Sequence, residues 1–173
     1  MPNNAGPVSM GAFYRVSIRL YTLFLPLGFM VDQFTQEERS KLMSRIRSKN
    51  TVFEKSGFEL LRKAQVNYRR HPKNVYGNPD AANKTKRIAI FFDSDFWHGF
   101  NWKKAKHDFI SRKKFWIGKI EKNMKRDIEA TKELKRNEWT VLRLWEHEIR
   151  KNPSRCIVRI KRVYAKMETK MAE

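Results

Sequence analysis

The feature that most constrains this chain is the apolar run Ile88-Ala89-Ile90-Phe91-Phe92, bracketed by acids and followed at once by aromatics and a histidine. A continuous apolar run of this length reads as a strand buried in a sheet. Before it stand Gly77-Asn78-Pro79-Asp80 and the basic segment Lys84 to Arg87, and after it Asp93-Ser94-Asp95-Phe96-Trp97-His98-Gly99. One carboxylate therefore ends a turn, a second lies just past the strand, and two large flat rings and an imidazole follow. The same stretch also suits a plain hairpin with solvated acids and with Phe96 and Trp97 in the core.

Charge narrows the partner. Among 173 residues, 38 are Lys or Arg against 18 acids, a formal net charge of +20. Residues 1–29 contain only Arg15 and Arg19 as charged side chains, so the excess belongs to the rest of the chain. Such an excess repels itself in a compact fold, and is tolerable when a polyanion is bound, because each phosphate neutralised releases counterions. Nucleic acid is the leading partner and an anionic membrane surface the weaker one. Lys103-Lys104-Lys106 and Arg112-Lys113-Lys114 are then phosphate contacts, where a less basic domain would simply have solvated faces.

The lone Cys156 can form neither an internal disulfide nor a cysteine zinc site, which fits a reducing cytoplasm. The apolar part of the first thirty residues is about half the length of a membrane span and is broken by Pro26, so no membrane partner is expected. We read residues 1–29 as an extension outside the fold, with translation beginning at Met30. The domain is expected over 30–165 with a tail at 166–173, acting as a monomer in the cytoplasm, on the nucleoid of a prokaryote.

Local signals give an ordered set of elements. Thr35 and Glu38 form a capping box for a first helix over about 36–46, and Thr51 caps a second that runs to Ala64. Val66 to Arg70 alternates like a strand. Asp80 to Asn83 and Arg87 to Phe92 read as adjacent strands joined by Lys84-Thr85-Lys86. Residues 101–115 are weakly periodic. Trp116, Ile120, Met124, Ile128 and Leu134 fall at helical spacing over 115–136, and Trp139 to Trp145 alternates as a strand. Glu146 starts a last helix that Pro153 interrupts or restarts, with fraying expected from Val163 onward. This order predicts an α/β fold in which helices flank a small mixed sheet. His71 and His107 read as solvated, and Trp116, Trp139 and Trp145 as core.

Metal-dependent DNA cleavage needs a carboxylate to hold Mg²⁺ near the scissile phosphate and a base to activate or orient water. Asp80, set by Pro79 at a strand start, suits the first role. His98 suits the second, because its ordinary pKa lies near neutrality. Glu54 and Asp93 are candidates as further ligands or as carboxylates behind the ligands.

These residues resemble the very short patch repair (Vsr) endonucleases, a branch of the PD-(D/E)XK nuclease superfamily. Five ordered segments between Arg39 and Ile149 carry the resemblance: Arg39 to Thr51 with Glu54; Gly77-Asn78-Pro79-Asp80; Ile90 to Gly99; Phe115-Trp116 through Lys119, Lys122-Asn123 and Arg126-Asp127; and Trp139, Val141-Leu142 and Trp145-Glu146. The resemblance implies a PD-(D/E)XK-like fold and Mg²⁺-dependent, strand-specific nicking of double-stranded DNA at T:G mismatches. It implies that Asp80 binds the metal, that His98 is catalytic, that Glu54 supports the site, and that Asp93 stands where the family has Asp or His. Phe96 and Trp97 match aromatics that wedge beside the mismatch, and Met43 a residue entering from the other groove. The basic residues Arg45, Lys49, Lys103 and Lys113 complete the DNA-binding candidates.

Three departures accompany the match. The family's structural zinc uses cysteine and histidine where this chain has Asp95, Phe100, Trp102 and His147, so zinc is expected to be absent. Ser94 replaces a glycine, and Ala81-Ala82 replace bulkier strand residues. They keep a second class of function in view, a basic nuclease-fold protein that docks on distorted DNA without cutting. An RNA-binding accessory protein explains the charge but not the cluster of acids, rings and imidazole.

Overall fold

The computed structural model describes residues 51–107, 109 and 113–172. The expected first helix and the candidates Met43, Arg45 and Lys49 lie outside the described residues. Helix α1 (Val52–Lys63) is capped by Thr51, whose Oγ1 accepts from the Glu54 N–H at 3.1 Å. Strands β1 (Arg69–Arg70), β2 (Ala81–Asn83) and β3 (Ile88–Asp93) follow, then short α2 (Trp102–Ala105) and long α3 (Lys113–Arg136). Strand β4 (Thr140–Trp145), α4 (Glu146–Lys151) and α5 (Pro153–Ala172) complete the order.

The sheet has the order β1-β2-β3-β4, antiparallel through β3 and parallel between β3 and β4. It is a small mixed sheet with helices on both sides, as expected. Alternation along β3 distributes its side chains. Ile88, Ile90 and Phe92 join Leu142, Leu144 and the apolar faces of α1, α4 and α5, whereas Ala89 and Phe91 join Ala82, Val75 and Leu134 of α3. Every residue of β3 is buried, including Asp93. The apolar run is therefore the shared wall of two cores, and Asp93 continues the α3-facing side beyond Phe91.

Some elements differ from expectation. The strand before the turn is only two residues long, because Asn67 instead caps contacts elsewhere: its carbonyl accepts from Tyr164 Oη at 2.8 Å and from Asn83 Nδ2 at 3.0 Å. The weakly periodic stretch contains α2, and α3 begins at Lys113. Helix α5 does not fray at Val163 but runs to Ala172, because Tyr164 and Met167 are buried in the larger core and Lys86 pairs with Glu168. Trp116, Trp139 and Trp145 are partly buried and not fully core.

Two glycines allow close approach. Gly77 has φ +75°, and a Cβ there would sit 2.6 Å from the Ala130 Cβ, so the turn before Asp80 can lie flat on α3. Gly57 brings α1 onto the Phe92 ring, which a Cβ would meet at 2.7 Å. Gly57→Val should lower stability, because an overpacking cost of about 1–3 kcal/mol exceeds the few tenths that Val gains over Gly in helix propensity. An unchanged denaturant midpoint would show that Phe92 can move aside.

Candidate active site

The C-terminal end of β3 gathers the charged groups into two adjoining centres. In the first, Asp80 sits one residue before β2, where the turn of Asn78 and buried Pro79 delivers it opposite the end of β3. Its Oδ2 accepts from the Phe92 N–H at 2.7 Å, so the strand backbone itself orients the carboxylate. Glu54, in the first turn of α1, is buried, and its Oε1 lies 2.8 Å from His71 Nε2. Ligand atoms of Glu54, His71 and Asp80 all fall within 4.8 Å of one another, and they form the only such acid and histidine group among the described residues. Two carboxylates and an imidazole are a donor set that fits a divalent cation, with the carboxylates suiting Mg²⁺.

In the second centre, Arg143 of β4 reaches across to Asp93. Its Nε and Nη2 donate to the two carboxylate oxygens at 2.5 and 2.7 Å, and Asp93 is 1% exposed. Pairing of Phe91 with Arg143 in the parallel ladder places the guanidinium 4.7 Å from the Phe91 ring centroid. Arg143 Nη2 also lies 3.2 Å from Asp127 Oδ1 on α3, and Asp127 Oδ2 is 2.6 Å from His98 Nδ1. His98 Nδ1 is 3.6 Å from Asp93. The four side chains form one continuous network from strand to helix to loop.

Electrostatics distinguish the centres. Burial, reinforced by the charges of Glu54 and Asp93 and opposed by the Phe92 N–H and His71, pushes the Asp80 carboxyl up to about 6. Burial works against a charged His98, but the hydrogen bond to Asp127 and the charges of Asp93 and Asp127 outweigh it, and its pKa is raised despite Arg143. The first centre is thus an acid cluster in want of positive charge. In the second, Asp127 engages His98 Nδ1 and favours the charged form of the ring, with Nε2 outside that pair.

The loop between them carries the rings. Phe96 and Trp97 meet edge to face at 4.9 Å and are half-buried, neither sealed in the core nor fully exposed. Trp116 of α3 stands 5.9 Å from Phe96 and 6.1 Å from Trp97, and Lys119 Nζ lies 4.9 Å over the Trp97 ring. Lys103 and Lys113 are exposed on α2 and at the start of α3. At the positions expected to lack zinc, Asp95 Oδ1 pairs with His147 Nδ1 at 2.7 Å, Phe100 packs on the His147 ring at 4.0 Å, and Trp102 Nε1 donates to Glu121 at 3.2 Å. Partly buried Ser94 donates to buried Glu146 at 3.1 Å, and Ala81 and Ala82 are almost completely buried, so the small residues there sit in packed positions.

Of the sequence candidates, Glu54 and Asp80 come together, whereas Asp93 and His98 belong to the adjoining network and both Asp93 oxygens are held by Arg143. His71 is exposed as a residue, as expected, but its side chain is 34% exposed and lies against the acid cluster, which was not expected. Asp127 was quoted in the resemblance as Arg126-Asp127 but given no role, and Arg143 was not singled out. The available signal was Arg143 itself, a charge in the middle of an otherwise apolar strand.

Because both pKa values of Asp80 lie in an accessible range, the metal-free protein has a testable pH response. A carboxyl whose pKa rises on folding binds protons more tightly in the native state, so stability falls as pH climbs from about 4 to about 6. Metal-free Asp80→Asn should exceed the parent's stability by about 2–3 kcal/mol above pH 6 and converge with it toward pH 4. Parallel curves across that range in denaturant titrations would contradict the burial account.

The "DNA mismatch endonuclease Vsr" family model matches residues 31–104. The type II nicking enzyme V.NmeDIP of Neisseria meningitidis serogroup C is 35% identical over 131 residues, covering 76% of this chain and 88% of that protein. V.HpaIIP of Haemophilus parainfluenzae, also a type II nicking enzyme, is 37% identical over 133 residues, or 76% and 94% of the two chains. The DNA mismatch endonuclease Vsr of Escherichia coli K12 is 32% identical over 121 residues, or 70% and 77%. The identity extends well beyond the residues of the two centres, and the chain belongs to the Vsr family of DNA mismatch endonucleases.

Proposed function

We propose that this protein is a Mg²⁺-dependent endonuclease that nicks one strand of double-stranded DNA at a T:G mismatch. The observation that carries the reading is the adjacency of the Glu54–His71–Asp80 donor group and the Asp127-tethered His98, with the Phe96–Trp97 pair on the loop beside them. The names of the relatives, nicking enzymes and a mismatch endonuclease, support the same class of reaction.

In this reading Asp80 and Glu54 hold the cation, which when bound supplies Lewis-acid stabilisation of charge on the scissile phosphate. His98 offers Nε2 to the reacting phosphate or its water. Asp127 and Asp93 favour the charged form of the ring, so the imidazole can accept a proton at Nε2 and return it from there. Asp127 fixes the tautomer and aims the ring. Asp93 acts through Arg143, which locks Asp127 in place, and not as a ligand. Phe96 and Trp97 enter the base stack where pairing is already weak, since a mismatch unstacks at least cost. Lys103 and Lys113 contact phosphates without reading sequence. The Asp95–His147 pair and Phe100 serve as a zinc-free link between the ring-bearing loop and α4.

Incubation with end-labelled T:G and T:A duplexes, with Mg²⁺ or with EDTA, tests the proposal: nicking is expected on T:G with Mg²⁺ alone. Asp80→Ala should abolish that nicking while DNA affinity stays within a few fold, because no basic contact is lost. Nicking at the parent rate by this variant would refute the site. Trp97→Ala should weaken T:G binding more than T:A binding, by about 1–3 kcal/mol. Equal weakening of both duplexes would make Trp97 a packing residue.

A further inference from the structure

His71 is held in place by contacts that a surface residue would not need. Its N–H donates to the Asp80 carbonyl at 2.8 Å, extending the β1–β2 ladder by one residue into the candidate site. Its φ is +42°, a left-handed conformation uncommon for a residue other than glycine. The ring meets Phe58 nearly edge-on at 5.7 Å, which fixes its plane, and Nε2 faces Glu54 at 2.8 Å. With Asp80 this places two carboxylate oxygens and one imidazole nitrogen around a common point.

The donor set bears on which cation the site prefers. Mg²⁺ takes oxygen ligands and keeps several waters, whereas first-row transition dications accept imidazole as well as carboxylate. We propose that His71 is a third ligand of the Glu54–Asp80 centre, and that it makes the site bind Mn²⁺ more tightly than Mg²⁺. The inference rests on reading Glu54 and Asp80 as a cation site. A His71 that only hydrogen-bonds Glu54 would leave the choice of cation unchanged.

Mn²⁺ alone, added to the full-length protein without DNA, is the probe. Electron paramagnetic resonance titration gives its affinity, competition with Mg²⁺ gives that ion's affinity, and the pulsed experiment reports whether a nitrogen is bound directly to the metal. The parent should show a directly bound nitrogen. In His71→Asn, which tolerates the left-handed backbone, that signal should vanish and Mn²⁺ affinity should fall at least about tenfold, with Mg²⁺ affinity unchanged within about threefold. His71→Gln, which can still reach Glu54, should behave alike, and a circular dichroism melt verifies that each variant is folded.

Absence of bound nitrogen in the parent, its survival in both His71 variants, or an equal loss for the two ions would overturn the inference. Asp80→Asn separates this from the reading beneath it, since it should weaken both ions together. If Asp80→Asn retains both affinities, the cation site itself is refuted. If it loses both while the His71 variants lose neither, only the role of His71 is.

Discussion

The structure of the site depends on the ion pair between Asp93 and Arg143. A carboxylate this deeply buried costs several kcal/mol in desolvation unless it is paired and its oxygens are satisfied. Arg143 does both, with two donors at 2.5 and 2.7 Å, and its flat face rests on Phe91. The pair ties β3 to β4 beyond their backbone ladder, and the remaining reach of the guanidinium fixes Asp127 on α3. Removal of either partner would leave a buried charge behind, so the orientation of His98 is inherited from the sheet and not from its own loop.

Strand β3 then explains why two chemically different centres can lie so close. Its Phe92 N–H orients Asp80 on one side, while its last residue, Asp93, anchors the imidazole network on the other. Burial and the neighbouring charges of Glu54 and Asp93 raise the proton affinity of Asp80 in the first centre, whereas the second centre already contains its counter-charge in Arg143. That asymmetry places an acid cluster and a charge-compensated imidazole network side by side at one sheet end. The ring-bearing loop is fastened to the same end by Ser94–Glu146 and Asp95–His147, so the aromatic pair moves with the chemistry.

Much of this was legible in the residues. The apolar run showed a buried strand, and the Thr51 cap and the helical spacing after Phe115 located α1 and α3, with Glu54 in the first turn of α1, Asp80 just before β2 and His98 on the loop after β3. What was not legible depends on register. His71 looked like a loop residue because nothing local shows that it lies across the hairpin from Asp80. Asp127 is 29 residues beyond His98 and one charge among many on α3; the resemblance marked Arg126-Asp127, but only the packing of the helix on the sheet shows that it pairs with His98. The persistence of α5 to Ala172 follows from Tyr164 and Met167 packing on the core, a tertiary effect that outweighs the weak tendency of a helix end to stay ordered.

The central claim is that the strand-anchored network raises the proton affinity of His98 beside an acid cluster. Nitrogen-resolved nuclear magnetic resonance titration of His98, in the parent and in Asp127→Asn, measures this directly. The account predicts a His98 pKa above the ordinary histidine value in the parent, and a fall in the variant. An ordinary His98 pKa in the parent, or one unmoved by the loss of the Asp127 charge, would contradict it.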